Sequence, residues 1–305
     1  MNPVLKEILQ KVSGIDNVPE GAYNFRINGM SELHSNSENT EIVSKPDKAG
    51  IDIIVKPNSK GELVHIPTLI DHSGLSDLVY NDFFIGENSD VHIIAGCGIH
   101  NDSLHATQHN GIHTFYVGKN ARVKYEEKHY GQGSGTGNKI ISPKTVIHLS
   151  EGSVLEMDSA QIDGVDYTKR LTEATIGANA SLISKEVILT TGHQTAYTDF
   201  RIELDGKDSS CSIVSRSVAK GESKQYFYSV INGNNECKGH SACDAIIMDQ
   251  AVVKAVPDVT ANHVDAQLIH EAAIGKIAGE QIIKLMSLGL TYEEAEKEII
   301  EAFLR

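Results

Sequence analysis

Three groups of residues in this chain could do chemistry. Near the C-terminus, Cys237, His240 and Cys243 lie within ECKGHSACDAII, and His270 and Glu271 follow in LIHEAAIGKIAGEQ. Thiolate, imidazole and carboxylate together form a ligand set that iron accepts, and cysteine thiolates are the usual holders of iron–sulfur clusters. Further upstream, Cys97 is followed by His100, His105, His109 and His113. These would suit zinc or iron if the segment folded back on itself. Their spacing matches no standard zinc module, and His109 and His113 read equally well as polar rungs of a strand. The third group, GQGSGTG from Gly131 to Gly137, lacks the Gly-Lys-Ser/Thr ending of a phosphate loop. It sits between strand-like segments with no helix after it, so no helix N-terminus is available for phosphate, and it reads as a flexible surface loop.

The elements that must position these groups are mostly strands. From Ile51 to Val256 the chain alternates short runs rich in Val, Ile, Thr and Tyr with Gly, Asn, Asp and Ser, the pattern of strands and turns. A turn-then-strand unit recurs at Gly86, Gly118, Ser150, Gly177 and Gly206, with starts 32, 32, 27 and 29 residues apart. Such a period implies stacked units, none able to bury its apolar face alone. A parallel β-helix or related β-solenoid fits best, with a jelly roll or other sandwich as the alternative. In the solenoid reading Val91, Val123, Leu155 and Leu182 form one internal ladder, and Cys211 is in phase with the core.

Both ends differ. Met1 to Gly14 places Val4, Leu5, Ile8, Leu9 and Val12 at helical spacing, an amphipathic helix and not a signal peptide. At the tail, Glu280 to Leu288 has a helical pattern and Gly289 can end it. Thr291 with Glu294 then forms a capping box that opens a second helix carrying Ala295, Ile299, Ala302 and Phe303 on one face. This helical pair is either a cap over the open end of the solenoid or a docking module. The expected division is an N-terminal helix and linker over 1–38, a β-helix core over 39–272 and a helical segment over 273–305.

Composition narrows the function. With 27 Lys and Arg against 41 Asp and Glu, a net charge of -14, and no concentrated basic run, nucleic acid is excluded as a partner. No window supplies the apolar length of a membrane span, so a soluble, cytoplasmic protein is expected. Four widely separated cysteines in a chain of this size are expected to be thiols.

The run from Ala242 to Arg305, ACDAII and then HEAAIGKIAGEQIIKLMSLGLTYEEAEKEIIEAFL, resembles the C-terminal signature of the SufB/SufD family of iron–sulfur cluster assembly scaffolds. Gly96-Cys97 with Leu104-His105-Ala106, and Lys119 to Tyr125, resemble upstream segments of the same family. Gly98-Ile99 stand where that family usually carries Ala-Pro. The resemblance implies a right-handed parallel β-helix followed by a small helical domain that docks an ABC-type ATPase, SufC. It places Cys243 and Glu271 at the cluster site, His270 where the SufD type carries its histidine, and Cys97 where the SufB type accepts sulfur. It further implies a scaffold and not an enzyme, holding a transient iron–sulfur cluster between a sulfur donor and apo iron–sulfur proteins. Because Cys243, His270 and Glu271 occur in one chain, a homodimer through the last turns of the β-helix is expected, with a paralogous scaffold as the other partner. The rival reading is a β-solenoid acting on polysaccharide, or a metal-dependent hydrolase using His100, His105 and His109.

Overall fold

A computed structural model describes residues 1–304, and the chain is mainly β, a solenoid of about eight turns with small C-terminal helices. From Gly50 onward the strands alternate between two sheets, with Lys139–Ile141 and Lys144–Leu149 counting as one, so each turn contributes one rung to each wall. One sheet runs in the order Met30–Ser35, Ala22–Ile27, Glu62–Ile70, Asp90–His100, Arg122–Gln132, Val154–Asp163, Ser181–Thr190, Ser209–Ala219, Cys237–Ile247, Ala266–Gly275. The facing sheet runs from Val252–Ala261 through Lys224–Gly233, Thr195–Leu204, Tyr167–Ile176, Thr107–Val117, Ser76–Ile85 and Gly50–Val55 to Thr40–Ser44. Lys139–Ile141 and Lys144–Leu149 together fill one rung of this sheet. Pairing within each solenoid wall is parallel, and among the described residues antiparallel pairs occur only at the N-terminal end.

The ladder expected from the repeats exists. Val91, Val123, Leu155, Leu182 and Cys211 are in register on adjacent strands and all are buried. Alternation along each strand sends one set of side chains inward and the next outward, and the inward sets of both walls merge into one core. The turns that begin each repeat also stack. Asn58, Asn88, Asn120, Gly152, Asn179 and Asp208 all have φ between 55° and 71°. Each donates its backbone N–H to a carbonyl on the next turn at 2.8 to 3.0 Å. Asn, Asp and Gly tolerate this left-handed conformation, which explains their recurrence at that position.

The N-terminal helix, α1 (Pro3–Ser13), is capped by the Asn2 side chain and ended by Gly14 at φ 70°. Ile8, Leu9 and Val12 are buried against the outside of the first sheet. A Cβ at Gly98 would come within 2.0 Å of Ile8, and one at Gly96 within 2.8 Å of Val12. The two glycines flanking Cys97 therefore form the seat of α1. Between α1 and residue 38 lies a hairpin, Ala22–Ile27 with Met30–Ser35, whose first strand pairs in parallel with Glu62–Ile70. At the tail, α2 (Gly279–Ser287) and α3 (Tyr292–Phe303) form the expected pair, with both hydrogen bonds of the Thr291/Glu294 capping box present. Glu296 of α3 is tied to Lys220 on a solenoid turn at 2.6 Å.

The segment read as a flexible loop is instead stacked on the preceding turn. Gly135 and Gly137 donate backbone N–H groups to Asn101 and Ser103 at 3.0 and 2.9 Å. A Cβ at either glycine would come within 2.4 Å of that backbone. The alternating glycines serve close approach of two chains and not flexibility.

Candidate functional site

Cys97 and Cys243 both point into the solenoid and are buried. Their strands are five steps apart in the first sheet, roughly 24 Å at the usual strand spacing. Between them the interior is polar. Ala95, Glu127, Ser159, Glu186, Ser215 and Cys243 form one in-register inward ladder, and Cys97 is in register with His129 on the ladder beside it.

Arg170, from the opposite wall, crosses the core to join these groups. Its guanidinium donates to Glu127 at 2.8 Å, approaches His129 Nδ1 at 3.3 Å, and lies 3.3 Å from Glu186. Glu186 in turn accepts from Thr198 and Ser215 at 3.0 Å. Glu127 also accepts from the Tyr125 hydroxyl, which lies 2.9 Å from His113. One buried hydrogen-bonded seam thus begins beside Cys97 and ends at Ser215, next to Cys243. Small cavities adjoin each end, about 20 Å³ lined by Cys97, His109, His113, Glu127 and His129, and about 10 Å³ lined by Thr198, Ser215, Gln225 and Cys243.

The electrostatics of the seam follow from burial and pairing. Burial works to raise Glu127, but His129, Arg170 and His113 hold its carboxyl well below the usual range. Glu186 is shifted the other way, because burial outweighs the help of Arg170, Thr198 and Ser215. Burial lowers His113 to about 4 and lowers His129 as well. The Cys97 thiol is raised well above its ordinary value by burial and by the nearby Glu127 and Asp77. Cys243 is pushed up to about 12 by burial, then by Glu186 and Asp244. Both cysteines therefore rest as neutral thiols, and a metal or an electrophilic sulfur must displace the proton for either to act.

The remaining residues singled out in the sequence are spread over several surfaces. His270 is in register with Ser241 and shares the inward side of the last strand pair with Cys243, where the end of the solenoid leaves it exposed. Glu271 is in register with Ala242, on the outer side, and meets His240 there at 2.6 Å. Adjacent strand residues point to opposite faces, so one chain cannot present both to Cys243. His109 is buried and bonded to Asp77 at 2.9 Å, which also accepts two bonds from Arg26. His100 pairs with Asp102 at 2.7 Å, and His105 is exposed on the loop beyond. Among the described residues, no three His, Cys, Asp or Glu side chains are grouped so that they could hold a metal. The histidines proposed for a hydrolase do not converge. All four cysteines are free thiols, and among the described residues no helix is long and apolar enough to cross a membrane.

Sequence reasoning had not found Glu127, Arg170 or Glu186. Their signal was present, because each lies an even number of positions from buried apolar residues on its own strand, at Tyr125, Ala174 and Leu182.

Comparison with known proteins agrees with this architecture. Residues 79–303 match the family model described as the SUF system FeS cluster assembly SufBD core domain. An iron–sulfur cluster assembly SufBD family protein of Archaeoglobus fulgidus is 30% identical over 88% of this chain and 71% of its own length. A SufBD family protein of Methanothermobacter thermautotrophicus is 30% identical over 74% of this chain and 54% of its own. One from Methanocaldococcus jannaschii is 27% identical over 83% and 79%. A match spanning most of the chain, on a solenoid with helices at its end, means that this chain belongs to the SufBD family of iron–sulfur cluster assembly proteins.

Proposed function

We propose that this chain is a scaffold on which an iron–sulfur cluster is assembled and then transferred, with Cys243 as its principal cluster ligand. The observation that supports this best is the seam of buried polar groups that ends at Ser215, in register with Cys243 on the penultimate strand of the first sheet. In this reading Cys97 accepts sulfur from a persulfide donor. The Glu127–Arg170–Glu186 chain lies between the two thiols, and release of the persulfide's outer sulfur as sulfide takes two electrons from an external reductant. Cys243 then holds iron and sulfide together with His270 and Glu271. A thiolate binds iron and sulfur strongly, while imidazole and carboxylate are weaker partners that let the cluster leave for an apo-protein.

A second copy of the chain completes the arrangement. Val252–Ala261 and Ala266–Gly275 end their sheets with unpaired edges and exposed Val259 and Ile269, which favour pairing across a two-fold axis. Such pairing supplies ligands from a partner where one chain turns Glu271 away from Cys243. A paralogous scaffold would satisfy the same edges. The segment 273–305, with Ile283, Met286 and Leu288 exposed on α2 and just beyond it, is the docking module for a SufC-like ABC ATPase whose motion reshapes the shared site. Four unpaired thiols fit a reducing compartment, the cytoplasm.

The test is anaerobic reconstitution with iron and sulfide. Cys243→Ser should fold but fail to retain the cluster, since a hydroxyl is nearly the same size and a poor soft ligand. Cys211→Ser, on the apolar ladder, should load normally. A wild-type spectrum and iron content in Cys243→Ser would remove the assignment.

A further inference from the structure

Three histidines line the small cavity beside Cys97, and their hydrogen bonds set them apart. His129 is engaged through both ring nitrogens, with Nδ1 at 3.3 Å from the Arg170 guanidinium and Nε2 at 3.5 Å from Glu127. His113 meets the Tyr125 hydroxyl through Nδ1, and burial lowers it to about 4, which makes it a weak base at neutral pH. His109 differs from both. Its Nδ1 faces Asp77 at 2.9 Å, and Asp77 accepts two further bonds from Arg26 at 2.8 and 2.6 Å. Burial works to raise the Asp77 carboxyl, but Arg26 and His109 hold it well below the usual range. An ionised carboxylate can only accept, so Nδ1 carries the proton and Nε2 keeps its lone pair. Among the described residues that Nε2 has no hydrogen-bond partner.

The topology brings this ring to Cys97. Cys97 stands three residues before the end of Asp90–His100, and His109 two residues after the start of Thr107–Val117, the next strand of the chain, on the facing wall. Both line the cavity of about 20 Å³ beside that corner. Arg26, Thr68, Cys97 and His129 are in register along one wall, Asp77 and His109 along the other, and the Arg26–Asp77 pair joins the two rows across the core. We propose that His109, oriented by Asp77, is the general base that takes the Cys97 proton when this thiol accepts sulfur. This deepens the reading of Cys97 as sulfur acceptor and rests on it. The Sγ proton passes to His109 Nε2, and the thiolate attacks the outer sulfur of a persulfide, R–S–SH. A bond forms between Sγ and that sulfur while the donor's S–S bond breaks. The donor leaves as a thiolate and recovers the proton from His109, so the products are the Cys97 persulfide and R–SH, with no net electron transfer. Asp77 is a positioning residue that fixes the tautomer, and Arg26 holds Asp77 in place.

The experiment follows Cys97 in the full chain, by mass spectrometry of its peptide, as it reacts with the small thiol reagent methyl methanethiosulfonate from about pH 6 to pH 9. His109→Asn keeps an amide N–H for Asp77 and His109→Gln keeps an amide in the same space, but neither has a basic nitrogen. Each should slow Cys97 about a hundredfold at pH 7, while Cys211, a buried thiol on the apolar ladder, reacts as in wild type. The pH profile should change as well. The wild-type rate should level off as pH rises, because a neutral imidazole takes the proton. In the variants only spontaneous ionisation of the thiol remains, so the rate keeps rising about tenfold per pH unit. Asp77, Arg26, Glu127, Arg170, His113 and His129, the other titratable and charged groups facing the pair, are the same in all three chains. The assignment is overturned by a wild-type rate or a wild-type profile in either variant, or by no reaction of Cys97 in wild type. Failure of the sulfur-acceptor reading is distinguishable, since wild type would then carry no persulfide on Cys97 after anaerobic incubation with cysteine persulfide, whatever the thiosulfonate profiles give.

Discussion

Replacing Arg170 by Met removes the one cation that bridges Glu127 and Glu186 inside the solenoid. Met roughly fills the volume, so the effect is one of charge. Arg170 is 6% exposed, and the two carboxylates are 5% and 2% exposed. Breaking a buried pair by deleting one partner costs about 3–5 kcal/mol, because the other charge stays buried and uncompensated. The pH dependence follows. In the wild type Glu127 is held below its unfolded value. Its contribution is full above that unfolded value, near 4.5, and is lost as pH falls through the folded one. Without Arg170 the folded state retains protons on Glu127 or Glu186 that the unfolded chain has released. Stability then falls as pH rises above about 4.5, at roughly 1.4 kcal/mol per pH unit for each proton retained. Urea unfolding of wild type and Arg170→Met at pH 7 and pH 5 measures both effects. Arg170→Met should be about 3–5 kcal/mol less stable at pH 7 and recover much of that at pH 5. A loss below about 1 kcal/mol, or an equal loss at both pH values, would show that the seam is not held by this guanidinium.

Three further outcomes are expected. Gly98→Ala should cost about 1–3 kcal/mol by overpacking against Ile8 and raise protease cleavage at Lys6 and Lys11, and Ile8→Ala in the same chain should relieve the clash; equal stability of Gly98→Ala and wild type would place α1 elsewhere. Deleting residues 291–305 should abolish co-purification with a SufC-type ATPase while the β-domain stays in solution, and retention of the ATPase would leave the helices as a cap only. Sedimentation velocity at micromolar concentration should give a dimer, and a monomer with or without the ATPase refutes the edge-to-edge pairing.

The repeat was legible because each turn needs the same left-handed residue at its start and the same apolar residue on its inner wall. Asn88, Asn120 and Asn179, followed by Val91, Val123 and Leu182, therefore stand out at nearly fixed spacing. The helix ends were legible for a local reason too, since caps such as Thr291 with Glu294 are satisfied within a few residues. The seam was harder to see. Glu127, Arg170 and Glu186 are spread over three strands, and a charged residue on a strand ordinarily belongs on the wet face. What overrode that rule was mutual pairing across the core, which no local pattern announces. The stacked loop at Gly131 to Gly137 was misread for a related reason, because glycine marks flexibility and close approach with the same letter. His270 and Glu271 look like one ligand pair in the sequence, yet strand alternation alone divides them between two faces.

The stacking of turns also makes the molecule a ruler. Each turn uses 27 to 32 residues and advances the wall by one strand spacing, about 4.8 Å. Cys97 and Cys243 are therefore separated by a whole number of rungs. Adding or removing one turn between them would change their distance by one fixed increment while leaving the immediate neighbours of each cysteine as they are. Length in this architecture is countable, and the gap between the two thiols can be altered in steps without redesigning either end.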